Sequence, residues 1–203
     1  MKTTRTTAGR YLEKAIMSVL AHIPDTVESH GTDPSRRARA IANAAALKAA
    51  SVSGTLSLPP GPAGWLTIIP DLTMVWKIQS QMVADIAGAF GRTSTLSQEQ
   101  MLYCLFRHAA AQAVRDLVVR AGERLLIKRV PARGLQAVIR KIGIPLARRL
   151  AGRGISRWLP IVGAVGVAGY AYYDTRRVAV TAIELFTSEI IEQTPAEDSQ
   201  PPG

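Results

Sequence analysis

Prolines divide this chain before any other signal does. Twelve occur in 203 residues, and each fixes its own φ and withholds a backbone donor, so regular elements rarely run across one. Pro24 closes a stretch in which Tyr11, Leu12, Ala15, Ile16, Val19 and Leu20 recur at helical spacing, which predicts a helix over 5–23. Asp33-Pro34 has the order of an N-cap and a first helical residue, and it opens an alanine-rich helix to Val52. Pro59, Pro60 and Pro62, with three glycines, make 53–64 an irregular connection, and Pro70-Asp71 then opens a helix, with Asp71 as its N-cap, running to Gly91. Ser97 to Gln100 spells a capping box ahead of MLYCLFRHAAAQAVRDLVVRAG. Gly122, Pro131, Gly143 and Pro145 predict short helices in the third quarter, and a long helix follows Pro160 to Glu192.

No strand alternation of useful length interrupts these patterns. The expectation is all-α: a compact multi-helix bundle of six to eight helices, with a glycine/alanine-rich core helix near the C-terminus. Length fits one domain over 1–192, and the polar TPAEDSQPPG predicts a disordered tail over 193–203. The 47% apolar fraction excludes a chain too polar to fold, and the single Cys104 excludes an internal disulfide. Cys104 itself, within MLYCLF, reads as a small buried hydrophobe. Glu13 and Lys14 break the N-terminal apolar run before a secretory core accumulates, so a cytoplasmic protein is expected.

Two uncharged runs bear on membrane spanning. Ala49 to Pro70 carries four prolines and cannot form one regular helix. Trp158 to Tyr173 has 16 residues, short of the roughly 20 a spanning helix needs. A buried core helix is the reading preferred for it, with a membrane-inserted hairpin as the alternative. Gly163, Gly166 and Gly169 recur there with alanines. Each helical glycine costs about 1 kcal/mol relative to alanine, so close backbone approach to a neighbouring helix is expected.

Charge is concentrated. The chain carries 25 Lys and Arg against 15 Asp and Glu, a formal +10. Residues 101–160 hold 13 of the cations and only Asp116 and Glu123 as acids. Lys128, Arg129, Arg133, Arg140, Lys141, Arg148, Arg149, Arg153 and Arg157 are the candidate anion-binding residues. On a helical wheel over 145–158 the arginines favour one side and Leu146, Leu150, Ile155 and Trp158 the other. That pattern suits a helix lying on anionic lipid, and equally a core-packed helix with a basic outer face. Only Gln136 and Trp158 join the cations between 120 and 158 as base-reading side chains, so no specific nucleic-acid binding is expected.

The 71–90 helix is apolar on two sides, with Lys77, Ser80 and Gln81 as its polar strip, and so reads as central. Asp85 falls inside the apolar stripe beside Met82 and Ile86, which calls for a partner, expected to be an Arg or Lys from another helix. His22, His30 and His108 sit in different segments, with no carboxylate or cysteine at ligand spacing, so neither a metal site nor a cofactor is indicated. No nucleophile elbow, Walker A or dinucleotide motif stands in a strand–turn–helix context, and no small-molecule substrate suggests itself. An enzymatic site would have to be assembled from Asp71, Asp85, Glu123 or His108 across helices. The protein is therefore expected to be non-enzymatic.

Two stretches, GPAGWLTIIPDLTMVWKIQSQMVADIAGAFGR and KIGIPLARRLAGRGISRWLPIVGAVGVAGYAYYDTRRVAVTAIELF, together resemble the EcsC family of bacterial proteins. Gly64, Pro70, Asp71, Ile86, Ala87, Phe90 and Gly91 match the first family pattern, and Pro160, Gly163 and Ala164 the second. Here Pro70 precedes Asp71, the reverse of the family's usual order, and Tyr172 stands near a place often held by Asn. The resemblance implies an all-helical, cytoplasmic, membrane-associated protein and supplies no catalytic residues. Three readings remain. The first is a scaffold peripheral on an anionic phospholipid surface. The second is a soluble module docking an acidic protein. The third has 60–90 and 158–175 inserted as hairpins.

Overall fold

A computed structural model describes residues 2–56, 64–121, 124–152 and 160–190. Seven α-helices stand among them: α1 (Lys2–Leu20), α2 (Pro34–Leu56), α3 (Gly64–Ala89), α4 (Gln98–Phe106), α5 (Ala111–Val114), α6 (Ala132–Gly152) and α7 (Pro160–Ile190). The protein is an all-α bundle with one small addition. Strands β1 (Val118–Ala121) and β2 (Arg124–Ile127) pair antiparallel, with Ala121 opposite Arg124. The expected tail over 193–203 lies outside the described residues.

α2, α3 and α7 form one packed layer, and α1 pairs with α6. Ala49, Val75 and Ala171 share a small cluster in which α2, α3 and α7 meet. A Cβ at Gly54 would meet the Ala168 Cβ at 3.4 Å, and Arg176 donates to Asn43, so α2 and α7 run antiparallel. α3 is central as expected: Val75, Trp76, Met82, Val83, Ala84, Ile86, Ala87 and Phe90 are all buried. On α1 the predicted stripe is buried except Tyr11, which is exposed.

Local capping explains several boundaries. Arg36 N–H donates to the Asp33 carboxylate at 2.9 Å, so Asp33 caps α2 as the sequence predicts. Ser97 and Gln100 exchange both capping-box bonds at the start of α4. α3 ends in a Schellman motif: Gly91 N–H donates to Gly88 O, Arg92 N–H to Ala87 O, and Gly91 takes φ 70°. The loop before α2 is laid across this end of α3. A Cβ at Gly88 would lie 2.6 Å from the Glu28 carbonyl oxygen, so the glycine admits the loop backbone.

Five expectations are corrected. α3 begins at Gly64 and runs through Pro70-Asp71, so Asp71 is not its N-cap; one proline removes one backbone bond, and the helix continues across it. α1 stops at Leu20, before Pro24. α6 is one helix through Gly143 and Pro145. Gly143 lies against α1, where an added Cβ would come 3.2 Å from the Glu13 Cγ, so that glycine serves helix contact and not termination. The expected helix over 101–122 gives way at 118–121 to a strand paired antiparallel with 124–127, where Val118, Val119, Leu125, Leu126 and Ile127 favour extended backbone. Finally, residues 165–173 of α7 are mostly not core. Val165, Gly166, Val167, Gly169, Tyr170, Tyr172 and Tyr173 are exposed, and a Cβ at Gly166 or Gly169 would meet nothing within 4 Å. Among 165–173 only Ala171, and in part Ala168, turn toward α2, so Gly166 and Gly169 serve no close approach; the surroundings of Gly163 lie outside the described residues.

Candidate functional site

The basic segment is held by one buried carboxylate. Glu99, 8% exposed in the first turn of α4, accepts the Val130 N–H at 3.1 Å, and Lys128 N–H donates to Leu117 O at 2.8 Å. These bonds fix the exit of the hairpin and the entry to α6. Lys128 and Arg129 are exposed there, and Arg133, Arg140 and Lys141 are exposed on α6. The inward face of α6 is Leu135, Val138, Ile139 and Ile142, all buried. Arg133 and Arg140 are seven residues apart and share one outer line of the helix. Ile144, 45% exposed, comes four residues after Arg140 on the same side.

Among the described residues no carboxylate lies within ion-pair distance of Lys128, Arg129, Arg133 or Arg140. The ion pairs found there, Arg37–Glu28 at 2.6 Å and Arg107–Glu184 at 2.5 Å, belong to other elements. Arg148 and Arg149 continue the backbone of α6, which puts Arg149 seven residues beyond the buried Ile142. Arg153 and Arg157 lie outside the described residues. Of the motif positions, Gly64, Pro70 and Asp71 fall in the first turns of α3, Gly91 caps it, and Pro160 and Gly163 fall in the first turn of α7.

Asp85 is half-buried and makes no ion pair within 4 Å among the described residues, although the Arg37 guanidinium of α2 feels its charge at longer range. Its Oδ1 accepts the Thr26 hydroxyl at 2.7 Å and the Gln81 amide at 2.9 Å. Two neutral donors satisfy the carboxylate, and the loop supplies the one that crosses elements. Thr26 in turn accepts the Glu28 N–H at 3.1 Å, and Glu28 binds Arg37 through both oxygens. The Arg37 guanidinium hydrogen-bonded to Glu28 holds that carboxyl below its ordinary pKa.

A second polar cluster was not legible from spacing. His108, in the turn after α4, meets Asp174 of α7 with Nε2···Oδ1 at 2.7 Å, both side chains only 15% exposed. Gln79 of α3, fully buried, donates from Nε2 to Asp174 Oδ2 at 2.8 Å and to Thr175 Oγ1 at 3.2 Å. His108 Nδ1 and Gln79 Oε1 are buried without a hydrogen-bond partner. Among the described residues no group of three or more His, Cys, Asp or Glu could hold a metal ion. Among the same residues no helix is long and apolar enough to cross a membrane.

Comparison with protein-family models, curated proteins and solved structures finds no match.

Proposed function

We propose that this protein associates peripherally with an anionic membrane surface through the outer face of α6, as a non-enzymatic scaffold or accessory to a membrane system. The observation that carries the reading is the set of exposed cations Lys128, Arg129, Arg133 and Arg140, without carboxylate partners among the described residues and with exposed Ile144 on the same side. Cations left unpaired on a rigid face attract phosphate head groups, and an apolar side chain among them can enter the acyl boundary. The uncharged, mostly exposed stretch 165–173 of α7 adds support. Tyr170, Tyr172 and Tyr173 are amphipathic rings of the kind that settle at a bilayer interface. Association at the cytoplasmic face, and kinship with the EcsC family, belong to the same proposal.

Flotation with vesicles of phosphatidylcholine, with and without phosphatidylserine, tests it. Binding should require phosphatidylserine, weaken with salt as the Debye length shrinks, and fall with Lys128, Arg129, Arg133 and Arg140 all changed to Ala. Equal flotation on neutral vesicles, or binding indifferent to the fourfold change, overturns the reading. Absence of lipid binding combined with capture of an acidic protein would favour the docking module instead.

A further inference from the structure

α2 and α3 run antiparallel, with Ala49 beside Val75 at one end and Arg37 within electrostatic range of Asp85 at the other. Small side chains keep the two helices from closing on each other. Ala40, Ile41, Ala44 and Ala45 of α2 and Ile78 and Met82 of α3 line a groove of about 330 Å³, a volume usual for small-molecule sites. Glu28, Arg37 and Asp85 line one end of it and Lys48 the other. Lys48 follows Arg37 by three helical turns, so it shares that side of α2 about 16 Å further along. Arg37 occupies both Glu28 oxygens, so those two charges cancel and Asp85 is the net charge of its end. Asp85 spends Oδ1 on Thr26 and Gln81, and its Oδ2 has no hydrogen-bond partner among the described residues. The Gln81 nitrogen is assigned by its second bond, 2.9 Å to the Asp25 carbonyl oxygen, which can only accept. Lys48 is exposed and makes no ion pair among the described residues.

We propose that this groove binds a linear zwitterion, an ω-amino carboxylate whose ammonium meets Asp85, whose carboxylate meets Lys48 and whose aliphatic chain lies on the apolar floor between them. The groove reads negative, apolar, positive along its length, and its complement reads positive, apolar, negative. A fatty acid would leave Asp85 facing a methyl group. An alkylamine would leave Lys48 unanswered, and a diamine would set a second cation against it. A short peptide with free termini has the right end charges, but its amides would lie on side chains that offer neither donor nor acceptor. An aliphatic chain needs no such partner. Extended ω-aminooctanoate spans about 10 Å between its end groups, and the flexible stem of Lys48 reaches toward it from the far end. The inference does not rest on the α6 face, so vesicle flotation and zwitterion binding succeed or fail separately.

The test titrates the full chain with ω-aminooctanoate, and with octanoate, octylamine and trialanine for comparison. Methyl NMR follows Ile41, Ile78 and Met82 in the groove and Ile139 on α6 as the control. The expected result is a saturable shift of the three groove methyls at roughly millimolar Kd, as a ligand of this size allows, with Ile139 unmoved. Octanoate and octylamine each lack one charged contact and should bind about tenfold more weakly. Trialanine should also bind more weakly than ω-aminooctanoate. Lys48→Ala alters an exposed side chain and should bring ω-aminooctanoate to the affinity of octylamine. No saturable shift, or octanoate or octylamine binding as tightly as ω-aminooctanoate, overturns the inference, and both are read on the unaltered protein. Tighter binding of trialanine overturns it in favour of a peptide, and a preference over octylamine that survives Lys48→Ala overturns the role of Lys48.

Discussion

Glycine-to-alanine exchange should have opposite signs at two places in this molecule. At Gly88 an added Cβ would lie 2.6 Å from the Glu28 carbonyl oxygen, 2.9 Å from the Thr26 Cγ2 and 3.0 Å from the Glu28 Cβ. A backbone oxygen cannot swing aside as a side-chain end does. The loop must therefore lift, and the Thr26–Asp85 hydrogen bond of 2.7 Å is strained with it. Overpacking costs about 1–3 kcal/mol, a clash with backbone falling at about 2–3 kcal/mol, and alanine's helix propensity returns at most about 1 kcal/mol. Gly88→Ala should thus lose about 1–2 kcal/mol, or about 2–8 °C of thermal midpoint for a chain of this size. At Gly166 and Gly169, inside α7, the same methyl would meet nothing within 4 Å. Only the propensity gain remains, about 0.5–1 kcal/mol of stabilisation each. Urea unfolding followed by circular dichroism measures all three. A neutral or stabilising Gly88→Ala would refute the close loop contact. Loss of stability at Gly166 or Gly169 would refute the open α7 face.

Other substitutions probe single contacts. Ser97→Ala should cost about 1 kcal/mol by removing the capping-box acceptor of α4, read in the same unfolding assay. Asp85→Ala leaves the Thr26 hydroxyl without its acceptor and should cost about 1–2 kcal/mol, with raised hydrogen exchange over 21–33. Glu28 has a lowered folded-state pKa, so its pair with Arg37 contributes stability above the ordinary carboxyl range and loses it as pH falls through that lowered value. Carboxyl-carbon NMR should show the Glu28 pKa rising toward its ordinary value in Arg37→Ala. The fourfold change of Lys128, Arg129, Arg133 and Arg140 to Ala should weaken phosphatidylserine binding by about 4 kcal/mol, near a thousandfold at low salt.

What the sequence made legible is what short-range chemistry determines. Asp33 and Ser97 announce their caps because the acceptor and its N–H are three residues apart. The α1 and α3 stripes show because burial follows the helical period. The exposed cations of α6 were visible as charge density, although spacing alone did not reveal that Glu99 anchors their segment across 31 residues. His108 and Asp174 are 66 residues apart, and no local pattern joins a turn histidine to a helix aspartate. The Asp85 partner was misjudged because two neutral donors satisfied a half-buried carboxylate where a cation was expected. The paired strands leave a weak signal, β-branched and leucine residues on either side of Gly122-Glu123, because each strand has only four residues. The exposure of 165–173 in α7 could not be read from composition, since an uncharged helix of glycine, valine and tyrosine looks the same whether buried in protein or laid on lipid.

The membrane face itself is tested most directly by a polarity-sensitive fluorophore on a single introduced cysteine. Cys104 is 0% exposed and should not compete for label. With the label at Ile144→Cys on α6, phosphatidylserine vesicles should shift emission to the blue and raise its intensity, while a label at Arg39→Cys on α2 should stay unchanged. A response at position 39 with none at position 144, or no response at either, would contradict the assignment of α6 as the side that meets lipid.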